Sequence, residues 1–216
     1  RSLIGAGFLC IMACIGVYLG GIIPEATLQP VLEKAGLLNI SFTRPTNDNF
    51  ANSERLAHWI AGIHMFQDHP FLGVGIGNYP SAYPQYAVGI FTASLGHAHN
   101  YYINIAAEAG IFGLLALLFF LTATFVASGH TYRTIQQRWQ HIVASPSPVV
   151  EPEASKHSIK LTMIANDRAL VIGLIAALAS VCIHNLVDDL YVHSMTNLIA
   201  LLLVMTIRLE KLSAIE

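Results

Sequence analysis

The residues best suited to chemistry stand together in Gly96-His97-Ala98-His99-Asn100-Tyr101-Tyr102-Ile103-Asn104. This stretch leads into a long apolar run, so His99 and Asn100 are expected at the N-terminus of a helix. The unpaired N–H groups and positive dipole end of a helix start favour an anion such as a phosphate. The same positive end favours a neutral imidazole, which can take a proton from a hydroxyl. An anion-holding site beside a general base is what group transfer from a phosphate leaving group requires. The plainer use of a His at a helix start, as a cap or an interfacial side chain, stands beside this reading.

Other polar residues gather near it. Asn100, Asn104 and Glu108 recur every fourth position and share one helix face. A carboxylate inside an apolar helix needs a partner in protein or water, and the spacing suits Glu108 to a buried hydrogen bond more than to direct chemistry. His184-Asn185-Leu186-Val187-Asp188-Asp189 ends a later apolar run. Those groups either line a substrate cavity or solvate a helix end. Gly73-Val74-Gly75-Ile76-Gly77-Asn78 alternates glycines, but no Lys-Ser/Thr follows, so a tight backbone turn is expected there and not a nucleotide loop. Cys10, Cys14 and Cys182 lie in apolar runs and read as packing residues. No metal site and no cofactor are expected.

The elements that position these residues follow from composition. The 216 residues are 54% hydrophobic and only 11% charged, with net charge −2 and mean hydropathy +0.56; an average soluble domain is about 25% charged. A disordered chain, an ordinary cytosolic enzyme and a nucleic-acid binder are all disfavoured. Four runs approach the roughly 20 apolar residues that cross a bilayer: 3–23, 101–128, 169–187 and 190–207. The expected fold is all-α, a polytopic helical membrane protein with four transmembrane helices and a large, partly helical extracytoplasmic loop.

Charge orients the runs. Segment 24–100 carries Lys34, Arg44 and Arg55, whereas the shorter 129–168 carries Arg133, Arg138, Lys156, Lys160 and Arg168. By the excess of Lys and Arg on the cytoplasmic side, the 129–168 loop and the C-terminus are expected inside and the 24–100 loop outside. Within that outer loop, 24–35 reads as a short helix. Asn52 or Ser53 would cap a second helix running to about Asp68. Its stripe Leu56, Trp59, Ile60, Ile63 and Phe66 is suited to a membrane surface or to neighbouring helices, with Arg55, His58 and Gly62 on another side. Pro146, Pro148 and Pro152 make a flexible connector of 145–153, and 131–143 can prolong the preceding helix. Gly110 and Gly113 would let another helix approach closely.

The order Ser53-Glu54-Arg55-Leu56-x-x-Trp59, then Phe66-x-Asp68-x-Pro70-x-x-Gly73-Val74-Gly75-x-Gly77-Asn78-Tyr79, then His99-Asn100 with Gly110 and Gly113, resembles the membrane O-antigen ligase and polymerase family. The resemblance runs from about Arg55 to Gly113 and more loosely to Asn197. It implies an enzyme at the outer face of the bacterial inner membrane that transfers a glycan from undecaprenyl pyrophosphate to an acceptor hydroxyl, without metal. The acceptor is the lipid A core for ligases, another lipid-linked glycan for polymerases, or a protein Ser or Thr for relatives. Carried over, His99 is the base and Arg55 a pyrophosphate-holding arginine. Asn100, His97, Arg44 and Glu108 are expected to bind substrate, although Arg44 matches no motif.

Such proteins usually have about a dozen spans. With a chain that begins at Arg1, the expectation is a C-terminal fragment whose N-terminal transmembrane helices, and a further arginine, lie elsewhere in the parent. Two readings from other classes stay open: a transporter or flippase using Glu108, His184 and Asp188 as a polar pathway, and a membrane scaffold.

Overall fold

The computed structural model describes residues 40–145 and 150–190, with positions 33, 200, 201, 204 and 205. The spans expected at 3–23 and 190–207 and the short helix expected at 24–35 fall outside the described residues, but for those few positions and Leu190. What is described is helical. Helix α1 covers Phe50–Asp68, α2 Tyr79–Ala82 followed by a single 3-10 turn at Tyr83–Gln85, α3 Tyr101–Ala144 and α4 Glu153–His184. There is no strand among the described residues, only an isolated bridge between Val88 and Phe91. The chain divides into two units, residues 1–57 with 88–91 and residues 58–87 with 92–216. In the first unit Ile90 N–H donates to the Phe42 carbonyl and Phe50 meets Phe91 edge to face.

Among the described residues, α3 and α4 are the two helices long and apolar enough to cross a membrane. Both outrun the spans read from hydropathy. α3 continues to Ala144, as the polar stretch 131–143 allowed, and α4 starts at Glu153 and not near 169. The expected 129–168 loop is therefore mostly helical, with α3 running to Ala144 and α4 starting at Glu153. Ile135, Ile164 and Val171 are buried at its centre against Tyr132, Trp139, Ile142 and Ile175, and the Arg168 guanidinium lies 4.8 Å over the Trp139 ring. Hydropathy marks where a helix turns polar; it does not mark where the backbone stops being helical.

α1 begins at Phe50, so Asn52 and Ser53 lie inside its first turn instead of capping it. Its buried face is also not the apolar stripe. Ala57, His58, Ala61 and Met65 are fully buried, while Ile63 of the stripe is exposed. Small residues let this face approach closely, and Ala61 and Met65 pack with Tyr79, Tyr83, Ala98 and Ala107 into the core of the second unit.

α3 is broken at Gly110, where φ is 65° and ψ −161°. An unbroken helix would bond Ile111 N–H to the Ala107 carbonyl. Here Ile111 N–H donates to the Pro70 carbonyl, Val74 N–H takes the freed Ala107 carbonyl, and Gly75 N–H takes the Glu108 carbonyl, at 2.8, 2.9 and 2.9 Å. The glycine-rich turn after α1 thus replaces the bonds that α3 loses. Backbone meets backbone so closely that a Cβ on Gly73 would overlap Ala107–Ala109 and one on Gly110 would overlap Phe71–Leu72. The partner that Gly110 admits is this loop, not another helix. Both glycines also hold positive φ. Gly110→Ala or Gly73→Ala should each destabilise the protein by at least about 1–2 kcal/mol from the left-handed backbone alone, read as a lower melting temperature of the purified protein in detergent. An unchanged melting temperature would disprove the exchange.

Candidate active site

The start of α3 is anchored by Asn100. Its Oδ1 accepts the Ile103 N–H, capping the helix, and its Nδ2 donates to the Leu186 carbonyl at 2.7 Å. Tyr101 N–H donates to the Asn185 carbonyl and the Tyr102 hydroxyl to the Cys182 carbonyl. The last three of these contacts tie the beginning of α3 to the end of α4. Asn104 accepts the Ala98 N–H, closing the turn that carries the two histidines. Asn100 thus has both ends of its amide committed to protein, which suits a cap better than the substrate contact expected of it.

His99, immediately before the cap, has φ 51°, a left-handed conformation uncommon for a residue with a side chain and sustained only where its surroundings over-determine it. Its carbonyl accepts from Trp59 Nε1 at 3.0 Å, its N–H donates to His97 Nδ1 at 3.1 Å, and its Nδ1 lies 3.3 Å from Asp188 Oδ1. A carboxylate only accepts, so His99 Nδ1 carries a proton, and in the neutral imidazole the lone pair is then on Nε2. That Nε2 is buried without a hydrogen-bond partner.

His58 repeats the arrangement. The Tyr79 hydroxyl donates to the His58 carbonyl, so the 3.3 Å approach of His58 Nδ1 to the same oxygen requires Nδ1–H to be the donor. His58 Nε2 is then a second buried lone pair without a partner. The His58 ring stacks on Tyr83 at 4.5 Å and meets His99 edge to face at 5.4 Å; His97 and His99 are 4.5 Å apart.

Three imidazoles this close cannot all be charged. Burial, then His99 and His97, lower the His58 pKa to about 4. Burial and then His99 also lower that of His97, with Asp189 and Asp188 opposing. Burial works against the Asp188 carboxylate, but the Asp189 N–H and the histidines outweigh it and hold its pKa below the ordinary value.

The structure gathers His97 and His99 as the sequence suggests, and adds Asp188, which had been read only as part of a polar mouth. His184 of that mouth is exposed. Glu108 is buried and its Oε1 accepts the Tyr79 N–H at 2.9 Å. This is the buried hydrogen bond that its position favoured. Arg44 is exposed, with its N–H on Ser41 Oγ, and Arg55 is half-buried in α1; both belong to the first unit. His58 was missed as a site residue. Its signal was its place beside Ala61 and Gly62, the small residues of α1 that admit close neighbours. His97, His99 and Asp188 each offer a ligand atom within 4.8 Å of one another. However, both Nδ1 atoms are already engaged, with the His99 N–H and with Asp188, and an ion bound through them would displace those bonds.

The family model described as O-Antigen ligase matches residues 1–118, more than half of the chain. The chain belongs to the O-antigen ligase family. No curated protein matches it. The matched region of this O-antigen ligase family member includes Arg55, His58, His97, His99, the glycine-rich turn and the break at Gly110, whereas α4 and Asp188 lie beyond it. Membership makes the protein a membrane enzyme of the glycosyltransferase type, acting on lipid-linked glycans in O-antigen or related polysaccharide assembly.

If Asn100 is a cap, Asn100→Ala should cost about 1–2 kcal/mol and Asn100→Ser, which keeps an accepting oxygen without placing it against the Leu186 carbonyl, less. Thermal melts of the two variants check this, and equal losses would contradict it.

Proposed function

We propose that this protein transfers a glycan from an undecaprenyl-pyrophosphate carrier to an acceptor hydroxyl at the outer face of the bacterial inner membrane, by an inverting, metal-independent displacement. The observation that carries the proposal is the free lone pair on His99 Nε2, opposite an Nδ1 held by Asp188. In this reading Nε2 takes the proton of the acceptor hydroxyl as that oxygen attacks the anomeric carbon. The bond from that carbon to the pyrophosphate oxygen breaks, and undecaprenyl pyrophosphate leaves. Asp188 fixes the tautomer and stabilises the imidazolium that forms. His58, neutral at working pH, adds no second charge. Because Nε2 is covered beside the His58 ring, an acceptor reaches it only after side chains of the cluster move.

Arg55 is the residue we assign to the pyrophosphate. Its planar fork suits two phosphate oxygens whose charge grows as the bond breaks. Arg44 and His97 are assigned secondary substrate contacts. The topology that goes with this reading has the 24–100 segment outside and the 129–168 hairpin and C-terminus in the cytoplasm, consistent with the basic residues of the hairpin. The acceptor is a lipid A core sugar in our reading; a polymerase or a protein O-oligosaccharyltransferase would use the same site with a different hydroxyl. Transport as the sole activity is less well supported, since Glu108, the central group of a polar pathway, is bonded to Tyr79.

In the full-length parent, His99→Ala should abolish glycan transfer from a defined lipid-linked donor at normal protein levels. Asp188→Asn should lower turnover by about 10²–10⁴-fold, the range of general-base contributions. Arg55→Lys keeps the charge but not the fork and should raise KM for the donor. Wild-type turnover of His99→Ala would remove the base, and an unchanged Arg55→Lys enzyme would remove the pyrophosphate assignment.

A further inference from the structure

The eight residues Pro70-Phe71-Leu72-Gly73-Val74-Gly75-Ile76-Gly77 contain no polar side chain, yet they form a loop and not a buried element. Phe71, Leu72 and Ile76 are 65, 75 and 85% exposed. A water-facing turn is normally polar, and clustered exposed apolar side chains mark an interaction surface. The loop is bounded by exposed Asp68 and His69 on one side and by Asn78 on the other.

Two observations identify what it meets. The first is continuity. Phe71 and Phe112 are ring neighbours at 6.3 Å, and Phe112 (60% exposed) opens the run along α3 whose Leu115, Phe119, Phe120 and Val126 are also exposed, in a helix apolar enough to cross a membrane. From Ile111 to Ser128 that run is about 27 Å long at about 1.5 Å per residue, close to the hydrocarbon thickness.

The second is the backbone. Irregular chain is tolerated at membrane depth only where its polar groups find partners in protein. The N–H groups of Val74 and Gly75 are bonded to α3 carbonyls, that of Gly73 to His69 and that of Asn78 to Gly75, while the Pro70 carbonyl accepts from Ile111. The Asn78 amide also turns inward, onto the Val74 carbonyl. These polar groups are bonded within the protein, whereas the side chains of Phe71, Leu72 and Ile76 are exposed.

We propose that the loop Pro70–Gly77 is a re-entrant element seated in bilayer hydrocarbon at the level where α3 enters it. Leu72 and Ile76 contact lipid, and the loop shields the Glu108 carboxylate and the open helix carbonyls from acyl chains. The proposal does not depend on His99 or on glycosyl transfer.

Site-directed spin labelling tests it. The full chain, with Cys10, Cys14 and Cys182 replaced by Ala, is reconstituted in lipid nanodiscs with one Cys at Leu72 or Ile76. Phe119→Cys on α3 serves as the lipid reference and Val150→Cys in the hairpin connection as the aqueous reference. Collision rates with oxygen and with a neutral nickel chelate are then measured. Labels at both loop positions should match Phe119, with an oxygen-to-nickel accessibility ratio several-fold above that at Val150. A ratio like that at Val150 means the loop lies in water and overturns the proposal. Immobile labels reached by neither reagent mean that protein covers the loop, and overturn it equally.

Discussion

A helix that breaks inside an apolar environment must find new partners for the carbonyls and N–H groups it releases, and the second unit is organised around one such break. At Gly110 the α3 ladder opens, and the turn after α1 supplies the missing donors and acceptor residue by residue. Because only glycines fit on both sides, the join is backbone to backbone and leaves little freedom of register. It sets the end of α1 against α3 and brings Tyr79 over the break, where its N–H takes the Glu108 carboxylate. The same tyrosine then reaches back to His58. A carboxyl group at 108 is therefore part of the scaffold, and the histidine cluster is held at one remove by it.

The second constraint is at the other end of the same helical segment. His99 adopts a left-handed backbone that its own side chain disfavours by about 1–2 kcal/mol. Contacts from Trp59, His97, Asn100 and Asp188 offset this. They come from α1, from the preceding turn and from beyond α4, so the histidine is positioned by three separate parts of the unit. Strain of this kind is stored where a side chain must be aimed. What is aimed here is His99 Nε2, with its sister nitrogen on a carboxylate and its neighbour His58 kept uncharged by burial. Burial lowers the pKa of both His58 and His97, which limits the mutual repulsion that clustered imidazolium rings would create.

Much of this was legible from residue types and spacing. The all-helical class, the apolar runs in α3 and α4, the helix ending before Pro70, the tight glycine turn, the helix start at His99-Asn100 and the buried hydrogen bond of Glu108 all follow from local rules of propensity, periodicity and capping. What was not legible is nonlocal. Nothing in the order of residues joins His99 to Asp188, 89 positions apart, or marks the donors that Gly110 would meet. The stripe of α1 left a membrane surface and neighbouring helices equally open, and it did not mark the face that packs. In a membrane protein the large apolar residues can face outward, and the small residues, here Ala57, Ala61 and the flanking His58, are those that pack. The 129–168 segment was read as a loop for the related reason that its polarity was taken for irregularity, when charged residues are good helix formers.

The break and the strained histidine are separated by one face of α3, from Asn100 through Asn104 to Glu108, and each of those three side chains accepts a main-chain N–H: Ile103 in the helix's own first turn, Ala98 in the histidine turn, and Tyr79 over the break. That face is a row of backbone acceptors, whereas His99 Nε2 and His58 Nε2 have no hydrogen-bond partner. The distinction between a polar residue that builds a site and one that acts in it thus comes down to which lone pairs the fold leaves free. By that criterion the gap between two imidazoles is where the fold leaves nitrogens without partners, and the helix face beneath it is the frame.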